Sequence, residues 1–506
     1  MTSKTESTKK RRLSICMVTD FFYPNIGGVE SHVYNNSQCL ILRGHKVVVV
    51  THQYGNRNGV RYLAGGLKVY YVPAPLIVGQ ASLPTFFSTF LIFRNIFIRE
   101  KVQIVHGHQA FSTFCHEAIL HARSMGLKTV FTDHSLLGFA DASGILLNKL
   151  LKFTLSDVGH IICVSHTSKE NTVLRAALDP KIVSAIPNAI VAEHFMPKPK
   201  GMVLDKDSEK WVTVIVLSRL VYRKGMDLLV VSIPRICKTF KNVRFIIGGE
   251  GPKRVDLEQM REKYALQDRV ELLGKISASQ VRGILIRGDI FLNTSLTEAF
   301  CIGIVEAASC GLMVVSTKVG GIPEVLPKHM LEFAKPEEDD IVNALGKTIY
   351  KVIARKSKLA EKSKTLVSSN KTLDKPKFKI SDKDFADSDS ESNDYMSPHS
   401  FHNQVKNMYS WHNIAYRTET VYYKVIRIPE PPLIERLRLY YGCGRVAGKL
   451  FCMVAVVDFL LCFLFELLFP ASEIEVAPEF SIEKYNKLLQ SNRSKKAGSD
   501  IIQNSL

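Results

Sequence analysis

Thr297-Glu298-Ala-Phe-Cys301-Ile-Gly303-Ile-Val-Glu306-Ala-Ala-Ser-Cys-Gly311 sets two carboxylates with seven residues between them, directly after the strand-like run Asp289-Ile-Phe-Leu-Asn-Thr294. The spacing predicts a helix that begins near Glu298 and carries Glu306 two turns later on the same side. Free N–H groups at such a helix start attract anions, so a ligand bearing both phosphates and hydroxyls suits amides and carboxylates together. A strand, a turn and a helix in this order form the repeating unit of a doubly wound α/β sheet, which binds ligands at the carboxyl ends of its strands.

Working outward, the same unit recurs. Trp211-Val-Thr-Val-Ile-Val-Leu-Ser218 is a compact β-type run, followed by Arg219-Leu-Val-Tyr-Arg-Lys224-Gly225 and a helix from Met226. Val243-Arg-Phe-Ile-Ile-Gly248 leads into Gly249-Glu250-Gly251-Pro252, Val270 to Gly274 reads as a short strand, and Met313-Val-Val-Ser-Thr317 precedes Gly320-Gly321-Ile-Pro323-Glu324. Residues 211–353 therefore read as one α/β domain.

An earlier series has the same logic. Leu13-Ser-Ile-Cys-Met-Val-Thr19 is followed by Asp20-Phe-Phe-Tyr-Pro-Asn-Ile-Gly27-Gly28, a helical pattern through Leu42, and the continuous apolar strand in Gly44 to Thr51. Val102 to His106, a helix from Phe111 to Met125, Lys128 to Asp133, His160 to Ser165 and Ile182 to Asn188 extend it, so residues 13–194 form a first domain and 195–210 a linker. The Gly27-Gly28 pair is not the dinucleotide fingerprint GxGxxG, but it follows the first strand, where backbone meets ligand. A cleft is expected between the two domains.

Composition limits the class of partner. The chain has 506 residues, a formal net charge of +19 and 46% hydrophobic residues. That balance favours anionic partners, yet the basic residues are dispersed apart from Lys9 to Arg12, and no nucleic-acid motif appears, so nucleic acid is not expected. The ten cysteines show no CxxC pair and read as reduced, buried thiols; Cys301 reads as a packing residue rather than a nucleophile. His106 and His108, two apart, lack an accompanying carboxylate or cysteine set, so no metal is assigned, and no cofactor is expected.

Arg219 with Lys224, Gly248 to Pro252, the Glu298 to Glu306 interval and Gly320 to Glu324 together resemble the retaining family 4 glycosyltransferases, which have the GT-B fold of two Rossmann-like domains. The similarity runs over residues 13 to about 345. It is closer still to the branch of that family that transfers N-acetylglucosamine from UDP-GlcNAc to phosphatidylinositol at the start of glycosylphosphatidylinositol (GPI) anchor assembly. Met17 to His32, Phe131 to Ser135, Ser218 to Gly225 and Asn293 to Cys301 carry that resemblance.

A nucleoside diphosphate leaving group gains negative charge as the glycosidic bond breaks, so cations and N–H dipoles are needed at the phosphates. Arg219, Lys224 and the amides of Phe300, Cys301 and Ile302 suit that task. The resemblance further implies that Glu306 holds the ribose, Glu298 the donor sugar, and His134 the sugar-binding edge of the first domain. It also implies a donor loop containing Gly249 and Glu250, and Gly27 and Gly28 at the transferred sugar or phosphate. Retention is ascribed in the family to front-face attack, with the leaving phosphate helping to take the acceptor's proton. Arg57, Arg61 and Lys68 are candidates to face the lipid. A GDP-mannose-dependent mannosyltransferase and a non-catalytic nucleotide-sugar-binding scaffold remain the alternatives.

The last part of the chain points to a membrane. Leu450 to Phe469 is a largely apolar run of bilayer-spanning length, interrupted by Asp458 and Glu466. Arg436, Arg438, Arg445 and Lys449 precede it and Glu473, Glu475 and Glu479 follow, which predicts a single-pass helix over 450–469, a cytosolic body and a short lumenal tail over 470–506. The polar N-terminal tail, residues 1–12, lacks the apolar core of a secretory signal. The resemblance implies an endoplasmic reticulum membrane and other subunits of a transferase complex. Residues 354–398, Lys-rich and then acidic and Ser-rich, read as a disordered insertion in which Ser388, Ser390 and Ser392 suit acidophilic kinases. A crossing helix over 399–425 and a membrane-proximal connector over 426–449 complete the chain.

Overall fold

The computed structural model describes residues 11–77, 80–136, 142–199, 210–369, 397–479 and 486. The phosphorylation candidates Ser388, Ser390 and Ser392 lie outside the described residues. Two compact units emerge, the first holding the N-terminal series together with residues from His412 onward, the second holding Pro187 to Trp411 with Ser165–Thr167.

In the first unit the order is β1 (Ser14–Val18), α1 (Gly28–Leu42), β2 (Lys46–His52), β3 (Gly59–Tyr62), β4 (Lys68–Val72), α2 (Phe90–Arg99), β5 (Ile104–His108), α3 (Thr113–Ser124), β6 (Lys128–Asp133), α4 (Ala142–Leu155), β7 (His160–Cys163), α5 (His166–Ala176) and β8 (Val183–Ala185). The strands lie in the order β3-β4-β2-β1-β5-β6-β7-β8, parallel except for β3, which pairs antiparallel with β4. The apolar runs predicted for β1 and β2 are buried on both faces, as a covered parallel sheet requires. Phe93, Phe97, Phe114 and Ala118 seal one face against Val18, Val48 and Val105.

The second unit contains β9 (Val212–Leu217), α6 (Met226–Thr239), β10 (Val243–Gly248), α7 (Arg254–Lys263), β11 (Val270–Gly274), α8 (Ala278–Leu285), β12 (Ile290–Asn293), α9 (Ile302–Ser309), β13 (Met313–Thr317), β14 (Leu331–Ala334), α10 (Glu338–Ser369) and α11 (Pro398–Met408). Its strand order is β11-β10-β9-β12-β13-β14, with every described pairing parallel. Val214, Leu229, Ile233, Phe245, Ile290 and Leu345 meet in one core.

In each sheet the chain winds outward from a central strand, returns, and winds the other way. The reversals fall between β1 and β5 in the first unit and between β9 and β12 in the second. The loops leaving those strand pairs diverge and open a crevice at the carboxyl ends.

Two expectations need correction here. Helix α10 runs on to Ser369, so the first part of the stretch from 354 is helical and not disordered. The single crossing helix over 399–425 is two helices: α11 packs on α9 in the second unit, and α12 (Trp411–Ile426) packs in the first, through Glu419 with Arg43 and His45 and through Tyr422 with His106. The connector over 426–449 contains a short helix, α13 (Leu433–Tyr441), whose buried Arg436 bonds Asp157 at 2.8 Å and the Arg123 carbonyl at 3.0 Å. The apolar run forms α14 (Ala447–Leu468), which alone among the described residues is long and apolar enough to cross a membrane.

Candidate functional site

In the second unit, four loops at the carboxyl ends of β9, β10, β12 and β13 knit together. After β9 the chain makes one 3₁₀ turn, Tyr222–Lys224, and reverses at Gly225 in the left-handed region, φ 67°. A Cβ at Gly225 would stand 1.8 Å from the Thr294 carbonyl oxygen, so only glycine lets the β9 and β12 loops touch. The glycine turn after β10 closes similarly: Gly249, φ 140°, has room for no Cβ against the Ser218 carbonyl, and the Leu220 N–H donates to the Glu250 carbonyl at 2.8 Å.

These approaches bring Lys224 onto Glu298. The Lys224 ammonium pairs with a Glu298 carboxylate oxygen, which also accepts from the Ser295 hydroxyl at 3.0 Å. The Gly321 N–H donates to the Glu298 carbonyl at 3.0 Å, tying in the β13 loop. Burial pushes the Lys224 ammonium down, but the Glu298 carboxylate beside it more than offsets this, and the group stands above its usual value. Arg219 lies exposed on the same loop, near enough for its charge to oppose that of Lys224. A cation–carboxylate pair with a second cation on the same loop, at a topological switch point, suits an anionic, hydroxylated ligand.

The expected helix start is displaced. Glu298 is not on the helix; it lies in the loop, and α9 begins only at Ile302. Cys301, at the N-cap, holds φ 65°, a conformation that a residue with a Cβ adopts rarely and that gathers at functional sites. Glu306 alone of the two glutamates rides α9, while Phe300 is buried against Tyr409 and Ala299 is buried beside it. Burial raises the Cys301 thiol far above its usual range, with Glu298 adding to the effect, which agrees with a packing role. The Glu250 side chain is engaged by Arg254 at 2.7 Å, leaving its backbone to shape the loop.

Burial pushes the Glu306 carboxyl up to about 7. The family resemblance implies a ribose at Glu306, whose hydroxyl donors would favour the charged form; on that assignment nucleotide binding is expected to be full above pH 7 and to weaken as pH falls through that value. Between pH 8 and pH 6 the affinity for UDP should drop about tenfold, with proton release near neutrality. Titration calorimetry in buffers of different ionisation enthalpy checks this; Glu306→Gln should abolish the pH dependence, and an unchanged profile in that variant would refute the assignment.

The first unit offers its own crevice. Gly27 is the N-cap of α1 in extended backbone, and a Cβ on Gly28 would meet nothing within 4 Å, so the helix start is open. Asp20, fully buried, bonds the Ser112 hydroxyl at 2.9 Å, the Phe114 N–H at 3.1 Å and the Ser82 N–H at 3.3 Å, and so fixes the loops after β1, β4 and β5. Sequence reading gives Asp20 no role; its signal is its place at the end of the first strand.

His134 follows β6 beside His108, with His108 Nδ1 and His134 Nε2 3.4 Å apart. His32 of α1 packs edge-on to His134 with ring centroids 4.7 Å apart, a neighbour the sequence spacing does not reveal. Burial holds His106, His108 and His134 well below the ordinary histidine value, so all three are neutral. Donor nitrogens of His32, His108 and His134 lie within 4.8 Å of one another. No carboxylate or thiolate joins that group among the described residues. His106 and His108 are strand residues of β5, and His106 bonds the Tyr422 hydroxyl and Thr132, both at 2.7 Å.

Of the three basic residues expected to face a lipid, Lys68 is engaged instead by the buried Glu100, together with Lys46 at 2.8 Å. Arg57 stacks on Tyr71 at 5.8 Å, and Arg61 is exposed on the edge strand β3.

Chain beyond α14 returns to the body: the Ala477 N–H donates to the Arg99 carbonyl at 2.8 Å, and Glu479 pairs with Arg12 at 3.0 Å.

Comparisons with known proteins agree with this architecture. The family described as Glycosyl transferases group 1 matches residues 204–365, and the one described as PIGA (GPI anchor biosynthesis) matches residues 52–141. Among solved structures, sucrose-phosphate synthase from Thermosynechococcus elongatus is similar with a TM-score of 0.59 at 16% identity, covering 82% of this chain and 99% of that one. The Anabaena protein HepE, solved with UDP and glucose, has a TM-score of 0.58 at 14% identity, covering 81% and 99%. Both have the GT-B fold, and so does this chain.

Closer relatives carry the name phosphatidylinositol N-acetylglucosaminyltransferase. The gpi3 subunit of that enzyme in Schizosaccharomyces pombe is 53% identical over 93% of this chain and 94% of the relative. Its counterpart of the same enzyme name in Homo sapiens is 50% identical over 93% and 88%. With half its residues shared along nearly its whole length, the chain belongs to the family of phosphatidylinositol N-acetylglucosaminyltransferase gpi3 subunits.

Proposed function

We propose that the chain is the sugar-transferring member of its complex and moves N-acetylglucosamine from UDP-GlcNAc to phosphatidylinositol with retention of configuration, the first step of GPI-anchor assembly. The observation that carries this reading is the Lys224–Glu298 pair at the β9/β12 switch point, in a chain whose relatives carry the name of that reaction. Lys224, with Arg219, is suited to the diphosphate, whose charge grows as the sugar bond breaks. The loop from Phe300 to Ile302 offers amides to the same group, and Glu306 and Glu298 accept from ribose and sugar hydroxyls.

His134 acts as a neutral hydrogen-bonding group toward the sugar. Its Nδ1 has no hydrogen-bond partner among the described residues, and its neutral state at physiological pH favours orientation over proton transfer. Gly28 and the α1 N-terminus serve the acceptor side. The leaving phosphate takes the acceptor hydroxyl's proton. A membrane of the endoplasmic reticulum, with the body facing the cytosol, is the site of action, and other subunits complete the complex.

Microsomes holding the complex, supplied with labelled UDP-GlcNAc, should yield labelled GlcNAc-phosphatidylinositol that disappears with Glu298→Ala. Labelling from GDP-mannose alone would instead identify a mannosyltransferase, and binding of UDP-GlcNAc without turnover would identify a scaffold.

A further inference from the structure

The direction of hydrogen bonding at His134 follows from its neighbours. His108 Nε2 lies 3.3 Å from the Met17 sulfur, and both residues are fully buried. A thioether has no hydrogen to give and accepts only weakly, so the contact is attractive only when His108 Nε2 carries the hydrogen. Burial keeps His108 neutral, with one N–H and one bare nitrogen, and the bare nitrogen is therefore Nδ1. That atom faces His134 Nε2 at 3.4 Å, a long contact that two lone pairs would make repulsive. His134 Nε2 therefore carries the hydrogen of its own ring. His134 is neutral as well, so its Nδ1 is left as a lone pair, enclosed and without a hydrogen-bond partner among the described residues.

The surroundings hold the rings in these roles. His106 lies against His108 with ring centroids 4.1 Å apart, and His32 packs edge-on to His134. The turn at His134 is fixed by Asp133, fully buried, which accepts from the Ser135 N–H and from the Thr172 hydroxyl, both at 2.9 Å. Met17 on β1 and His108 on β5 belong to the two strands where the first sheet reverses its winding, so the series of contacts ends at the crevice. Buried polar atoms of native proteins are nearly always paired, and one left over beside a crevice points to a ligand that supplies the partner. A phosphate oxygen would meet the lone pair with another; a hydroxyl meets it with a hydrogen.

We propose that Met17 and His108 are positioning residues that fix the tautomer of His134, so that His134 Nδ1 accepts a hydrogen bond from a ring hydroxyl of a bound substrate. The ligand class is a polyol ring, either the donor sugar or the inositol of the acceptor, and the group read is a hydroxyl that donates. The choice of ring rests on the reading of the chain as a transferase of N-acetylglucosamine to phosphatidylinositol; the tautomer rests on Met17, His108 and His134 alone.

Two experiments on the full chain, within its complex in mild detergent, test this. With isotopically labelled histidine in this subunit, two-bond proton–nitrogen spectra should show His134, assigned by the signals lost in His134→Asn, as the Nε2–H tautomer. The Nδ1–H tautomer overturns the proposal, whether it comes from a reversed series of bonds or from a cation held between the facing nitrogens. Met17→Leu conserves volume and removes the sulfur, so it should give both tautomers at His134 and lower kcat/KM about three- to tenfold, with the unfolding temperature nearly unchanged. A single unchanged tautomer in that variant overturns the role of Met17; if the variant does not fold, the wild-type spectrum still decides. Transfer is then compared for substrates with fluorine in place of one ring hydroxyl at a time, on UDP-GlcNAc and on the inositol of phosphatidylinositol. One position should cost the wild type about tenfold and His134→Leu nothing further, and the ring that carries it tells sugar from inositol. His134→Asn, which keeps an acceptor oxygen near the Nδ1 position, should retain that dependence. Equal fluorine effects in the wild type and His134→Leu at every position overturn the proposal. Failure of the wild type to transfer from unmodified UDP-GlcNAc would count against the transferase reading, and the spectra would still decide the tautomer.

Discussion

Lys224→Ala is expected to lower transfer of N-acetylglucosamine by about 100- to 1,000-fold, the usual effect of removing one preorganised charge from a developing anion. Lys224 has a partner in Glu298, both being largely buried, with 23% and 13% of their side chains exposed. The pair holds the cation at the crevice, and a donor diphosphate would draw the ammonium away while its sugar hydroxyls turn to the freed carboxylate. Removing Lys224 alone therefore has two effects: the phosphates lose a cation, and Glu298 is left half-buried without its counter-charge. These separate in a double variant. Lys224→Ala with Glu298→Gln should regain the thermal stability lost in Lys224→Ala, because no uncompensated charge remains, yet transfer should stay at the level of the single variant or below. Thermal unfolding with and without UDP, alongside the labelled-donor assay, reads both quantities; recovery of activity in the double variant would show that the lysine serves only the fold.

What could be read in advance follows from which forces are local. The buried strands were legible because a parallel sheet covered on both faces demands continuous apolar runs, as in Lys46–His52. The glycines after β9 and β10 were legible as turns, since punctuation by glycine is a backbone property. The displacement of Glu298 from the helix was not. It depends on Cys301 taking a left-handed conformation, which the surrounding contacts impose and residue type does not signal. His32 could not be grouped with His108 and His134, because three separate elements bring them together. Likewise the partners of the two acids in the apolar run, His121 and Arg94, sit more than 300 residues earlier, and only tertiary packing pairs them.

Replacing Asp458 by alanine should have the largest effect of any change outside the donor site. The Asp458 and His121 side chains are both 0% exposed, and leaving a buried polar group without its partner costs about 1–3 kcal/mol. The loss should spread, since His121 also contacts the Thr89 hydroxyl at 3.3 Å, and Thr89 joins Glu117. Glu117 in turn accepts the Thr85 and Phe86 N–H groups at 2.6 and 2.8 Å, while Ser82, in the same loop, is held by Asp20 at the crevice of the first unit. Asp458→Ala should therefore release α14 to limited proteolysis, lower the unfolding temperature in mild detergent and raise the KM for phosphatidylinositol, with affinity for UDP unchanged because the second unit is untouched. A paired replacement, Asp458→Leu with His121→Leu, tells docking apart from polarity. Replacing both partners of a buried hydrogen bond by apolar groups of similar shape is often nearly neutral, so this variant should hold the helix in place. If its KM for the lipid remains high while α14 resists proteolysis, the His121 bond to Thr89 matters for the acceptor loop; if the KM returns to normal, His121 and Asp458 serve only to dock the helix.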